Sequence, residues 1–157
     1  MMIFFQFNCA SPFNPTADLR FEEIELHFTK RGGWINTSKL DIFSSGLATA
    51  YTIAHASPTI LDSASLYLNT NEQNEIMNLI TSFSIYKKHY EPAEYVTDGN
   101  FHVIVLSYHS RIDTVTVYNA FYGAPIPRKL GTLIKTLEEI HKNILDGKSL
   151  VLINQSE

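Results

Sequence analysis

Cysteine is almost missing from this chain. The single one, Cys9, excludes an intramolecular disulfide and any cysteine-based zinc site built within one chain. Charge is scarce too. Asp, Glu, Lys and Arg make up 18% of the 157 residues, so Asn, Ser and Thr must supply much of the polar surface. The balance is acidic, with a net charge of -4, which argues against a broad basic surface and hence against nucleic acid as a partner. No apolar run approaches the ~20 residues that a membrane-spanning helix needs. Catalytic signatures are also absent: there is no Gly-x-Ser-x-Gly, no Gly-x-Gly-x-x-Gly and no Gly-x-x-x-x-Gly-Lys-Ser/Thr. Hydrophobic residues still reach 45%, which makes the chain globular and long enough to bury a core.

The residues that could carry chemistry do not fall at chemical spacings. The six histidines, His27, His55, His89, His102, His109 and His141, never form His-x-His or His-Glu-x-x-His, and no two share a helix at i, i+4. Glu22, Glu23 and Glu25, or Glu138 and Glu139, could supply paired carboxylates, but no His, Lys or Cys partner is placed by sequence, and Glu23 and Glu25 read as the solvated side of an edge strand. The expectation is a non-enzymatic chain with no catalytic residue, no metal and no cofactor.

What the chain does have is β-structure. Residues 96–119 read as a hairpin, with β-branched and aromatic runs at Phe101–Tyr108 and 114–118 around a polar reversal at 109–113. Upstream, residues 20–30 alternate, with Ile24, Leu26 and Phe28 on one face, until Gly32-Gly33 breaks the strand. Trp34 is expected to pack over that turn. Residues 38–43 and 47–54 form a second hairpin around Ser44-Ser45-Gly46. Ala48, Ala50 and Thr52 line one side of it, which is either closely approached or solvated. Residues 55–65 read as a loop, and 65–68 as a short strand.

Thr70-Asn71-Glu72-Gln73 fits a capping box, followed by a helix over about 71–83 with Ile76, Leu79, Ile80 and Phe83 on one stripe. Residues 84–95 read as an extended connection, and Thr97-Asp98-Gly99 as a turn. A second helix begins near Pro127, carries Leu130, Leu133, Ile134, Leu137, His141 and Ile144, and ends at Gly147.

The predicted fold is α+β: a mostly antiparallel five- to six-stranded sheet with two amphipathic helices packed on one face, in the order β-β-β-(β)-α-β-β-α. Residues 1–18 are a flexible N-terminal segment, 19–148 a single domain and 149–157 a tail. One feature of the hairpin points to a surface. Phe101, Val103 and Val105 face one way, while His102, Ile104, Leu106 and Tyr108 face the other, and neither side is polar. Two helices cover one face only. The face carrying His102, Ile104, Leu106 and Tyr108 is therefore the candidate partner-binding patch, unless the tail, Trp34 or the loop 55–65 covers it.

Two resemblances bear on function. In residues 1–13 an apolar run ends at Cys9 and a Ser/Pro/Asn segment follows. This resembles the end of a bacterial lipoprotein signal, in which the cysteine after the cleavage point carries the lipid. It departs from that pattern in having Asn8 where a small residue is usual, and in lacking a basic n-region and a full-length apolar region, so the true start would lie upstream. The resemblance implies an exported protein at the cell envelope, attached to the membrane only through a lipid on Cys9; without it the chain is expected to be cytoplasmic. The second resemblance rests on Gly32-Gly33-Trp34 after an opening strand, then a helix, an aromatic-rich strand pair and a C-terminal helix. That layout resembles the emfourin-type inhibitors of thermolysin-like metalloproteases, and implies an inhibitor acting by surface contact. The expected function is an exported, lipoprotein-like binding or interaction domain. The alternatives are a small protease inhibitor, and a cytosolic protein or enzyme whose site is assembled from distant residues.

Overall fold

A computed structural model describes residues 16, 18–92, 99–118 and 125–147. Cys9, Asp98, Gly123 and the tail 149–157 lie outside the described residues. A mixed α+β fold is observed, with seven strands in one sheet and two α-helices among the described residues. The strands are β1 (Ile24–Arg31), β2 (Thr37–Ile42), β3 (Leu47–Ile53), β4 (Ile60–Tyr67), β5 (His89–Tyr90), β6 (Phe101–Tyr108) and β7 (Arg111–Tyr118). The helices are α1 (Thr70–Ile80) and α2 (Arg128–Leu145), and 3-10 turns occupy Phe21–Glu23 and Phe83–Ile85.

The strand order is β4-β3-β2-β1-β6-β7-β5, so β1, which carries Glu25, is a central strand paired on both sides and not the edge strand expected from Glu23 and Glu25. The sheet is larger than the five to six strands predicted, and not purely antiparallel. The additional strand is β5, which pairs in parallel with β7 through His89↔Thr116 and Tyr90↔Val117. Two residues carry no readable period, so this stretch could look only like a connection. The loop predicted over 55–65 is instead mostly β4, whose Ser63, Ala64 and Ser65 hide the alternation that marks a half-buried strand. The reversal at 109–113 shrinks to His109-Ser110, both at positive φ (43° and 62°), as a two-residue hairpin of the I′ kind requires.

One face of the sheet is core. Leu26, Phe28, Leu40, Ile42, Ala48, Ala50, Ile104, Leu106, Val115 and Val117 are buried there with Ile76 and Ile80 of α1 and the apolar stripe of α2. Ala48 and Ala50 are sealed because α2 runs closely over β2, β3 and β4. Their missing side-chain bulk lets His141 of α2 reach the backbone carbonyl of Tyr51 at 2.8 Å. Gly32 serves a similar end at the sheet margin. Its φ is +137°, and a Cβ there would clash with the Gly99 carbonyl oxygen, so only glycine lets the β1 exit pass the entry to β6.

The α1 cap lies one residue earlier than the sequence spacing predicts. Asn69, not Thr70, is the N-cap: its side-chain oxygen accepts from the N–H groups of Asn71 and Glu72, and Glu72 returns to the Asn69 N–H at 2.6 Å. The helix ends at Ile80 rather than 83, and Phe83 enters the core from the following 3-10 turn. Asn69→Ala should cost about 1 kcal/mol, since the first-turn donors lose their acceptor. Urea unfolding with an unchanged slope checks this.

Candidate functional site

The four residues marked for partner binding lie under the helices. His102, Ile104, Leu106 and Tyr108 are buried, and the helix-free side of β6 belongs to Phe101, Val103, Val105 and Ser107. The physical reason is register. Antiparallel pairing puts Ile104 opposite Phe28 and Leu106 opposite Leu26, which themselves face α1 and α2. Cys9 lies outside the described residues.

His102 does enter a polar constellation. At one end of the covered face, register aligns Thr52, Ser38, Lys30 and His102 across four neighbouring strands. Helix α2 sets Glu138 and His141 over this row. Lys30 Nζ donates to Glu138 Oε1 at 2.7 Å, and His102 Nε2 donates to the same oxygen at 3.1 Å. The His102 ring is only 2% exposed and stacks on Phe28, with centroids 6.1 Å apart. Burial raises the Glu138 carboxyl pKa, but the hydrogen bonds from His102 and Lys30 more than offset this and leave it below its ordinary value. Phe28, Lys30, Ser38, Glu138 and His141 line a cavity of about 140 Å³. Glu138 is thus a shared counter-ion for two cationic or proton-donating partners. Its sequence signal is weak: Glu138 sits beside the apolar stripe of α2, and nothing in the spacing names Lys30.

At the opposite end, a broad cleft of about 390 Å³ lies between the Phe21–Glu23 turn and the β6–β7 hairpin tip, lined by Glu22, Glu23, Glu25, Ser107, His109 and Arg111. Its carboxylates are partly engaged. Glu23 accepts from the Arg20 backbone N–H at 2.8 Å and from His109 at 3.3 Å. The Arg20 backbone bond, then its guanidinium and His109, hold the Glu23 carboxyl down to about 2. On the covered side of this end, burial and the bond to Asp113 push the Tyr108 phenol up to about 12. Among the described residues, no three His, Cys, Asp or Glu side chains gather so as to hold a metal ion. No helix among them is long and apolar enough to cross a membrane.

The largest exposed apolar group lies elsewhere. Trp34 does not pack over its turn; it is 85% exposed at the β1–β2 tip, with exposed Ile35 beside it. Its ring reaches His55 of the neighbouring β3–β4 turn, centroids 6.0 Å apart, and the His55 N–H donates to Asn36 Oδ1 at 3.1 Å, tying the two turns together. Exposed Ile60 and Leu61 open β4 at this same end. On the helix-free face, the Phe101 ring packs tilted against Tyr118, centroids 4.6 Å apart, with the Arg31 guanidinium over its ring. Two hairpin turns and the β6–β7 margin thus gather apolar and aromatic side chains that the core does not take up. Compared with known proteins, the chain matches no family model, and no curated protein matches it in sequence.

Proposed function

We propose that this chain is a binding domain that works by surface contact with a protein partner, and that its contact surface is the apolar end built around Trp34. The observation that carries this is the 85% exposure of Trp34, on a turn that Asn36 and His55 hold against its neighbour. A tryptophan left in water on a pinned turn loses the transfer energy its burial would bring, about 1.5–3 kcal/mol for a large apolar side chain. Buried aromatic anchors with an Arg nearby are also the residues that dominate protein interfaces. The polar layer around Glu138 fits this reading, because its charges are paired with one another beneath α2.

The test is affinity capture with the wild-type chain and with Trp34→Ala, followed by titration of each identified partner against both. The variant should fold normally and bind a genuine partner at least about tenfold more weakly. Identical capture profiles and affinities would refute the reading.

The same exposed Gly-Gly-Trp turn favours one narrower reading, a protease inhibitor that presents Trp34 to its enzyme. Inhibition across a panel of thermolysin-like metalloproteases, abolished by Trp34→Ala, would establish it; no inhibition of any member would remove it. Export rests on the apolar run ending at Cys9, which would place this surface outside the cytoplasm on a lipid tether. Labelling the full gene product with a fatty-acid analogue, with and without Cys9→Ala, tests that part separately: a label that persists in the variant, or none in the wild type, rules it out.

A further inference from the structure

We infer that the outer edge of β4 is a second interaction surface, and that its partner is another copy of this chain, paired antiparallel across a two-fold axis at Ser65. Among the described residues the sheet has two unlike edges. One edge is β5, two residues long, preceded by exposed Lys87 and Lys88 and followed within two residues by Pro92. Short length, lysines and a nearby proline are how proteins protect an edge from strand addition. The other edge, β4, runs eight residues, Ile60–Tyr67, with Asp62 as its one charge and no proline. Its protections sit at its start: Pro58 two residues before it, Asp62, and a register shift at Thr52/Ile53 that leaves Leu61 outside the pairing with β3. From Asp62 to Tyr67 the strand is regular. Among the described residues, no element pairs with its far side. Helix α1, which follows directly, packs on α2 and on the Phe21–Glu23 turn instead.

Register settles which backbone groups face outward. The Leu68 N–H donates to the Gly46 carbonyl, so hydrogen-bonded pairs with β3 fall at Leu66, Ala64 and Asp62. The N–H and C=O groups of Ser63, Ser65 and Tyr67 therefore point away from the sheet.

A second copy fits that row. With Ser65 opposite its own mate, Ser63 faces Tyr67 of the other copy, and Ala64 faces Leu66. Each outward residue exchanges two hydrogen bonds with its opposite, about six in all. Only this kind of two-fold keeps like faces together, so both copies hold their helices on one side of a fourteen-stranded sheet. Ala64 and Leu66, half-buried at present, extend the covered apolar layer across the axis. Tyr67, 68% exposed, gains a neighbour on the helix-free face. The pairing opposes no like charges, because the two Asp62 side chains lie at opposite ends, about six residues or ~20 Å apart. A highly charged foreign strand would find no complementary charge here.

The experiment is sedimentation equilibrium of the whole chain from micromolar to near-millimolar concentration. The wild type should approach twice the 17.8 kDa chain mass. Ser65→Lys, which places two ammonium groups side by side at the axis, should weaken self-association at least about tenfold. Thr116→Lys, on the same sheet face but away from the edge, should leave it unchanged. In a Cys9→Ser background, Ser65→Cys should form an intermolecular disulfide on mild oxidation, whereas Thr116→Cys should not. A monomer throughout, a Ser65→Lys chain that associates as tightly as the wild type, or equal crosslinking at both positions would overturn the proposal. None of these results depends on Trp34, so this inference and the binding reading stand or fall separately.

Discussion

Truncating Ile104 to alanine should destabilise the protein by about 2–5 kcal/mol, while Val105→Thr, one residue further along the same strand, should cost about 1 kcal/mol or less. The contrast follows from the sheet having one covered face. Ile104 is fully buried between Phe28 and Val115 in register, beneath the helices. Removing its side chain forfeits transfer energy and leaves a cavity in close-packed surroundings. Val105 lies between His27 and Thr114 on the helix-free face, where a hydroxyl in place of a methyl stays in water. For a chain of this length each kcal/mol moves the melting temperature by roughly 2–4 °C, so Ile104→Ala should melt about 4–20 °C lower. Thermal and urea unfolding of both variants checks this. Equal losses would mean that the helix-free face is also covered.

The second large effect belongs to Glu138. Replacing it with alanine leaves Lys30 and His102 beside each other without their shared carboxylate. Breaking a buried pair in this way costs about 3–5 kcal/mol. Glu138 and Lys30 are 26% and 28% exposed, so water can reclaim part of each charge and the expected loss is about 1–3 kcal/mol. Lys30→Met and the double variant close a thermodynamic cycle; a coupling near zero would show that the pair contributes nothing. The effect has a pH signature. The folded-state carboxyl of Glu138 titrates below its ordinary value of 4.5, so the folded protein binds its proton less readily than the unfolded chain does. Its stabilisation is fully present above that ordinary value and is lost as pH falls through the folded value. The gap in stability between wild type and Glu138→Gln should therefore be widest near neutrality and close in acid. A gap that stays constant down to the acid limit would assign the loss to packing instead.

Much of the architecture is legible in the sequence because periodicity and turn chemistry are local. Ile24, Leu26 and Phe28 alternate as a half-buried strand, and both helices show their stripes with Gly147 closing the second at a φ of +67°. Other elements carry a weak local signal. The serines and Ala64 of β4 hide a full edge strand, and β5 is too short to show a period. The α1 cap shifts to Asn69 because two neighbouring residues can both accept from first-turn donors, and local spacing does not choose between them. Proximity in sequence places Trp34 over its own turn. Its exposure depends on how the β1–β2 and β3–β4 turns meet, which no short-range pattern encodes.

By itself the sequence determined the α+β class, most of the strands, the two helices and the lack of a recognisable catalytic motif, each a matter of local spacing. It also made both sides of β6 apolar, and thereby left open which side would be core. Only the tertiary structure decided that. Pairing with β1 aligned Ile104 and Leu106 with Phe28 and Leu26, α2 closed over Ala48 and Ala50, and His102 came within reach of a glutamate 36 residues away. The same assembly brought two hairpin turns to one end and left Trp34 in solvent. Contacts between residues so distant in the chain are set by strand register and helix docking, and those depend on the whole core packing at once.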